Sequence, residues 1–154
     1  MYKQVVDDIN KSGERIGAVT VFTLASATCS GIDMFRNNAY FAGIFGLVTL
    51  GSSMYRIVET ENIKSHVARL PFDQTVTSLC SKMVSESMFA GAYGIAVGLG
   101  LALGASGIFD GDRMSGVALL ALSTLSAGRY FKHRENSSTA NTLLNMVLKH
   151  GKRP

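Results

Sequence analysis

Four stretches without a single charged side chain divide this sequence: residues 16–32, 37–55, 87–109 and 114–128, of 17, 19, 23 and 15 residues. A helix that crosses a bilayer needs about 20 mostly apolar residues, within a range of about 17–25. Three of the stretches meet that length. The fourth meets it when the Arg129 side chain snorkels and Tyr130 and Phe131 complete the helix at the membrane interface. A soluble domain of 154 residues has too little interior to hide four charge-free helices. Only 17% of the chain is charged, against a usual ~25%, and neither proline falls inside a stretch. These features exclude a disordered chain, a coiled coil and, with 2 cysteines, a disulfide scaffold.

The charges are sorted. If the four stretches span a bilayer, 13 of the 15 basic residues fall on one side, in the N-terminal segment, the central connector and the tail. The two tips hold only Arg36 and Arg113, alongside Asp33, Asp110 and Asp112. Basic residues collect on the cytoplasmic side of membrane proteins. The expectation is an integral membrane protein, of bacterial inner-membrane type, with four spans and both termini inside. The formal charge of +4 then belongs to lipid-facing orientation, and nucleic acid is not an expected partner.

The tips are short, Asp33 to Arg36 and Asp110-Gly111-Asp112-Arg113, and Asp and Gly beside one another favour tight turns. Each pair of spans therefore reads as a helical hairpin. The hairpins resemble each other: Ser30-Gly31-Ile32 and Ser106-Gly107-Ile108 precede the tips, and Glu61-Asn62 and Glu135-Asn136 follow the second helices, at offsets of 76 and 74 residues. The expected fold is all-α, one membrane domain over 1–154. Hairpin 1 covers about 16–58, a cytoplasmic connector 59–86, hairpin 2 about 87–131 and a basic amphipathic tail 132–154. Together they form a four-helix bundle, arranged as a tandem repeat, with short amphipathic cytoplasmic helices. Those short helices come from apolar stripes at helical spacing: Val5, Val6 and Ile9; then Val76, Leu79, Cys80, Met83 and Val84; then Leu143, Leu144, Val147 and Leu148. Such stripes can lie on a bilayer, dock on a partner or pack on their own bundle.

Small residues recur every fourth position at Ala90, Gly94, Gly98 and Ala102, and at Ala42 and Gly46. In lipid, where apolar side chains gain little by meeting, small residues let backbones approach and collect dispersion contacts. These six are the expected packing or oligomer-interface residues, within one chain or between copies. Lys149, Lys152 and Arg153 are the expected lipid-surface or partner contacts. Thr20, Thr23, Ser26, Thr28, Thr49, Ser52 and Ser53 are expected to bond to backbone or across helices rather than to line a pore.

No acidic, basic or histidine residue lies mid-span, which disfavours a proton-coupled carrier. Cys29 and Cys80 stand alone, and His66, His133 and His150 read as solvated residues in polar segments. No phosphate loop, nucleophile elbow or zinc helix is present. The chain is therefore expected not to be an enzyme and to take no cofactor or metal. Ser30-Gly31-Ile32 with Met34-Phe35-Arg36, and Ala90-Gly91-Ala92-Tyr93-Gly94, resemble small inner-membrane proteins of type IV secretion and conjugation systems, including the Dot/Icm branch. The resemblance implies a structural or pilin-like role, with no catalytic residues to transfer. Many pilin-type members have two spans and a cleaved leader, whereas this sequence reads as four spans with no leader. The functional expectation is a structural subunit of an oligomeric membrane assembly, with the lipid bilayer, further copies or other membrane subunits as partners. The alternative is a small pore former of the holin or membrane-permeabilising kind.

Overall fold

The computed structural model describes residues 2–35, 39–71, 73–109 and 113–150. They form four helices: α1 (Tyr2–Phe35), α2 (Ala39–Val67), α3 (Gln74–Phe109) and α4 (Arg113–His150). No strand occurs among the described residues. Of the expected tips, Arg36, Asp110, Gly111 and Asp112 lie outside the described residues; Asp33 belongs to α1 and Arg113 opens α4.

The expected short amphipathic helices are not separate elements. Each is the continuation of a longer helix: 2–15 runs unbroken into the rest of α1, 74–86 into α3 and 132–150 into α4. The reason is that no Pro or turn sequence separates an amphipathic stripe from the charge-free stretch beside it. The connector, too, is mostly helix, and only 68–73 interrupts it. Pro71 accounts for that break, since it lacks an N–H and disfavours helical backbone at Leu70. The last turn of α2 closes through Ala68 N–H to Lys64 O (3.0 Å), then through tighter bonds from Arg69 N–H to His66 O (3.1 Å) and Leu70 N–H to Val67 O (3.0 Å). Asp73 then caps α3, its Oδ1 accepting the backbone N–H groups of Thr75 (2.7 Å) and Val76 (3.2 Å).

The helices pack in the order α2, α1, α3, α4, with α3–α4 the most extensive interface, then α1–α2, then α1–α3. α2 makes no extended interface with α3 or α4, and α1 meets α4 only briefly. Pairing registers fix directions. α1 and α2 are antiparallel, with Arg15 beside Glu59, Thr23 beside Ser52 and Ser30 beside Ala42. α3 and α4 are antiparallel, with Met83 beside Ser137, Glu86 beside His133 and Gly104 beside Gly116. α1 and α3 run parallel, with Gly13 on Ser87 and Gly17 on Met88.

One apolar core lies at the end that holds the start of α1, the 68–73 break and the end of α4. It joins Val6 and Ile9, Leu70, then Val76, Cys80 and Met83, then Ala140, Leu144 and Leu148. The three amphipathic stripes thus bury one another, except that Leu143 stays exposed. Burying a side chain of Leu or Ile size contributes about 1.5–3 kcal/mol. A polar ladder runs alongside: Ser137 donates to Asn10 Oδ1, Asn141 to Asp7 Oδ1 (3.1 Å), and Asn145 to Asn141 Oδ1 (2.6 Å).

Two outcomes follow from this end of the molecule. Leu144 is fully buried, so Leu144→Ala is expected to lower unfolding stability by about 2–5 kcal/mol. Leu143→Ala, on the exposed side of the same turn, changes it by less than about 0.5 kcal/mol; denaturant titration followed by circular dichroism reads both. The Asp73 carboxyl is held below its usual pKa, first by the Val76 N–H and next by that of Thr75. With the folded-state value depressed, its stabilisation is present above the ordinary carboxylate range and lost as pH falls below about 4. Acid in that window is expected to fray the start of α3 in the parent chain and to add no such step in Asp73→Ala, as read by amide exchange at Thr75 and Val76.

Candidate membrane-facing surface

Away from the apolar core, the usual distribution of side chains is reversed. α2 and the 74–106 part of α3 are long and apolar enough to cross a membrane, yet only 6% and 11% of their most apolar windows are buried. Large apolar side chains point outward instead: Leu47 is 71% exposed and Leu125 71%, with Phe22, Leu50, Leu103 and Leu122 also exposed. Small polar ones lie inside, Ser26, Ser87 and Ser123 all being buried.

The contacts that hold this region are backbone approaches. A methyl group on Gly17 would overlap the backbone of Met88, and one on Gly91 would overlap the carbonyl of Glu14. α1 and α3 therefore touch main chain to main chain. The second crossing joins α3 to α4, where a methyl on Gly116 would stand 2.7 Å from the Gly104 carbonyl oxygen. Between α1 and α2 the links are hydroxyls: Thr23 donates to Ser52 (2.8 Å) and Ser30 to the Ala42 carbonyl (2.9 Å). Thr20, Thr28 and Thr49 donate to carbonyls four residues back in their own helices, which satisfies them without water.

The structure separates the six small residues singled out in the sequence. Ala42 and Ala90 are buried, Gly46 lies beside Ser30 and Gly94 beside the Tyr130 ring. Gly98 and Ala102 are exposed, and nothing lies within 4 Å of a methyl placed on Gly98. Gly13 and Gly17 were not singled out, although their four-residue spacing is the same signal; Glu14 and Arg15 between them mask it. Lys149 lines an open cleft of about 570 Å³ between the ends of α1 and α4, together with Lys3, Met146 and Leu148. Lys152 and Arg153 lie outside the described residues.

A charged and aromatic layer borders the apolar surface. Arg15 pairs with Glu59 (3.3 Å), and Tyr55 donates to the same carboxylate oxygen (2.8 Å). His133 differs from its expected place in solvent. It is half-buried, with Nδ1 2.7 Å from Glu86 Oε2 and its ring stacked on Phe89 and Tyr93, at 5.1 and 5.5 Å between centroids. The cause is its register: Phe89 and Tyr93 are one turn apart on α3 and meet α4 where His133 faces inward. Among the described residues no group of three or more His, Cys, Asp or Glu side chains converges; Cys29 is exposed and Cys80 buried. No protein-family model matches the chain, and neither does any curated protein or solved structure.

Enlarging the main-chain contact tests its weight. Gly17→Val or Gly91→Val is expected to cost about 1–3 kcal/mol or more through overpacking, seen as a lower melting temperature of the detergent-solubilised helical signal. Gly98→Val, in open space, should leave the melting temperature of the single chain unchanged.

Proposed function

We propose that this chain is a multi-pass membrane protein with four spans, acting without catalysis as a structural subunit of an oligomeric membrane assembly. The observation that carries the reading is the reversed surface, with Leu and Phe outward along α2 and α3 while Ser26, Ser87, Gly104 and Ser123 lie inward on α3 and the helices packed with it. That arrangement is unfavourable in water, where contiguous apolar patches of this extent are rare on monomers. In lipid it is the expected one.

The hydropathy of α1 and α4 does not by itself call for a bilayer, but their packing supports placing them there. α1 follows α2 through Thr23–Ser52 and Ser30–Ala42, and α4 follows α3 through Ser123 on Gly100 and Gly116 on Gly104. If α2 and α3 cross, their partners cross with them. Both described ends and the 68–73 break lie at the basic side, which favours a cytoplasmic position for that end. The exposed faces at Gly98 and Ala102 leave room for a neighbouring subunit. A secretion or conjugation apparatus of the bacterial inner membrane fits this role, through the resemblance of the Ser30–Arg36 and Ala90–Gly94 segments. The hydroxyls of Thr20, Thr23, Thr28 and Thr49 are engaged by helix backbones or by Ser52, so they support packing rather than a wet path.

Impermeant thiol labelling checks the placement in a chain with Cys29 and Cys80 replaced. Asn37→Cys, between α1 and α2, is expected to label from outside the cell, and Arg69→Cys only after the membrane is opened. Labelling of Asn37→Cys from the cytoplasmic side alone would overturn the topology. For the role itself, the expected result is co-purification with a larger membrane complex in mild detergent and no ion flux in liposomes. Flux that disappears when Gly94 or Gly98 is enlarged would establish a pore instead.

A further inference from the structure

The helix registers place four segments at one cross-section of the molecule: 14–18 of α1, 55–59 of α2, 89–93 of α3 and 129–134 of α4. Gly91 lies against Glu14 and Ala18, Arg15 against Glu59, and the rings of Phe89 and Tyr93 against His133. On the tip side of this level the exposed side chains are apolar, Leu47, Leu50, Leu103 and Leu122 among them. On the other side they are mostly polar, including Lys11, Glu61, Lys64 and Lys82, with Leu143 and Met146 as exceptions. The level is therefore the border between two surfaces of different chemistry.

Cations and rings crowd that border. Arg15, Arg56, Arg129, Lys132 and Arg134 are all exposed there, against the carboxylates of Glu14 and Glu59. Glu59 is turned inward, 4% exposed, and is engaged by Arg15 and Tyr55. A turn further out, Glu86 is taken by His133 and Asn136, and Glu135 follows. Arg134 donates to the Tyr130 hydroxyl (2.8 Å) and lies 5.8 Å from that ring's centroid. Arg56, Arg129 and Lys132 belong to no ion pair among the described residues. Tyr55, Phe89 and Phe131 stand exposed between them.

With Glu59 and Glu86 turned to protein partners, the five exposed cations outnumber Glu14 and Glu135 at the surface and leave a positive rim whose complement is a layer of negative charge. Amphipathic rings settle at headgroup depth, guanidinium forks match phosphate oxygens, and an anionic leaflet attracts each Lys or Arg near it. We propose that this belt is a binding surface for anionic phospholipid headgroups, set by Arg56, Arg129 and Lys132. It rests on the membrane placement proposed above and adds a lipid preference to it.

The test uses the full chain reconstituted in nanodiscs of phosphatidylcholine mixed with phosphatidylglycerol, then extracted in mild detergent, with the co-eluting lipid measured. Phosphatidylglycerol is expected to be enriched over the starting mixture, with retention falling about fivefold for each charge removed near the surface. The variant is Arg56→Gln/Arg129→Gln/Lys132→Gln, chosen because these side chains hold no protein partner; unchanged circular dichroism verifies its fold. Lys64→Gln, exposed on the polar side of the border and paired with Glu61, should retain the preference. Equal recovery of both lipids, or enrichment that survives in the triple variant, would overturn the belt while leaving the membrane placement standing. Displacement of the lipid by soluble glycerol phosphate would also overturn it, by identifying a free-phosphate site. Release of the chain from native membranes by alkaline carbonate would remove the placement and the belt together.

Discussion

The contact of α1 with α3 at Gly17 and Gly91 is the constraint on which the arrangement depends. Among the described residues it joins two hairpins that otherwise meet chiefly through the 68–73 break, the shared apolar core and the brief α1–α4 contact. Main-chain contact at this point forbids any side chain larger than hydrogen on either glycine. It also fixes the relative height of the hairpins, because only one register brings Gly13 to Ser87 and Gly17 to Met88 together. The parallel direction of α1 and α3 follows from the chain path. A hairpin returns α2 to the end where α1 began, so α3 starts beside the start of α1.

Two packing regimes share the same helices. Near the described termini, Ile9, Met83 and Leu144 are fully buried in an apolar core and water-facing positions are mostly polar, Leu143 and Met146 excepted, the ordinary solution for an aqueous end. Beyond Gly17 the order is reversed, and cohesion comes from close backbone approach and hydroxyl-to-backbone bonds. Apolar burial contributes to cohesion where water is the competing solvent, and dispersion between small residues does so where lipid is. The change of regime within single unbroken helices is the strongest physical support for a bilayer around one part of the molecule.

Much of the secondary structure was legible in the sequence. Charge-free stretches marked four helices in two antiparallel pairs, and the 3.6-residue stripes marked most positions of the core, though not Leu70 or Ala140. Helix continuity was not legible, because a change from amphipathic to uniformly apolar pattern resembles a boundary although no residue there stops a helix. The α1–α3 contact was hidden as well: Glu14 and Arg15 make Gly13-Glu14-Arg15-Ile16-Gly17 look like polar surface, while its glycines face α3. His133 shows the general difficulty. Its sequence neighbours are Lys132 and Arg134, but its spatial neighbours are Phe89 and Tyr93 on another helix, and only tertiary register reveals them.

The uninterrupted helices have a mechanical consequence. α3 has 36 residues and α4 has 38, so each is a rod of about 55 Å, well beyond the ~30 Å of a hydrocarbon layer. Neither contains a proline, and proline is the commonest cause of a sharp kink. A sideways push on the apolar half of such a rod cannot be absorbed midway and emerges as tilt at the opposite end. There Met83 and Leu144 interlock with α1. The terminal core is thus the place where any strain applied among the tips would be felt.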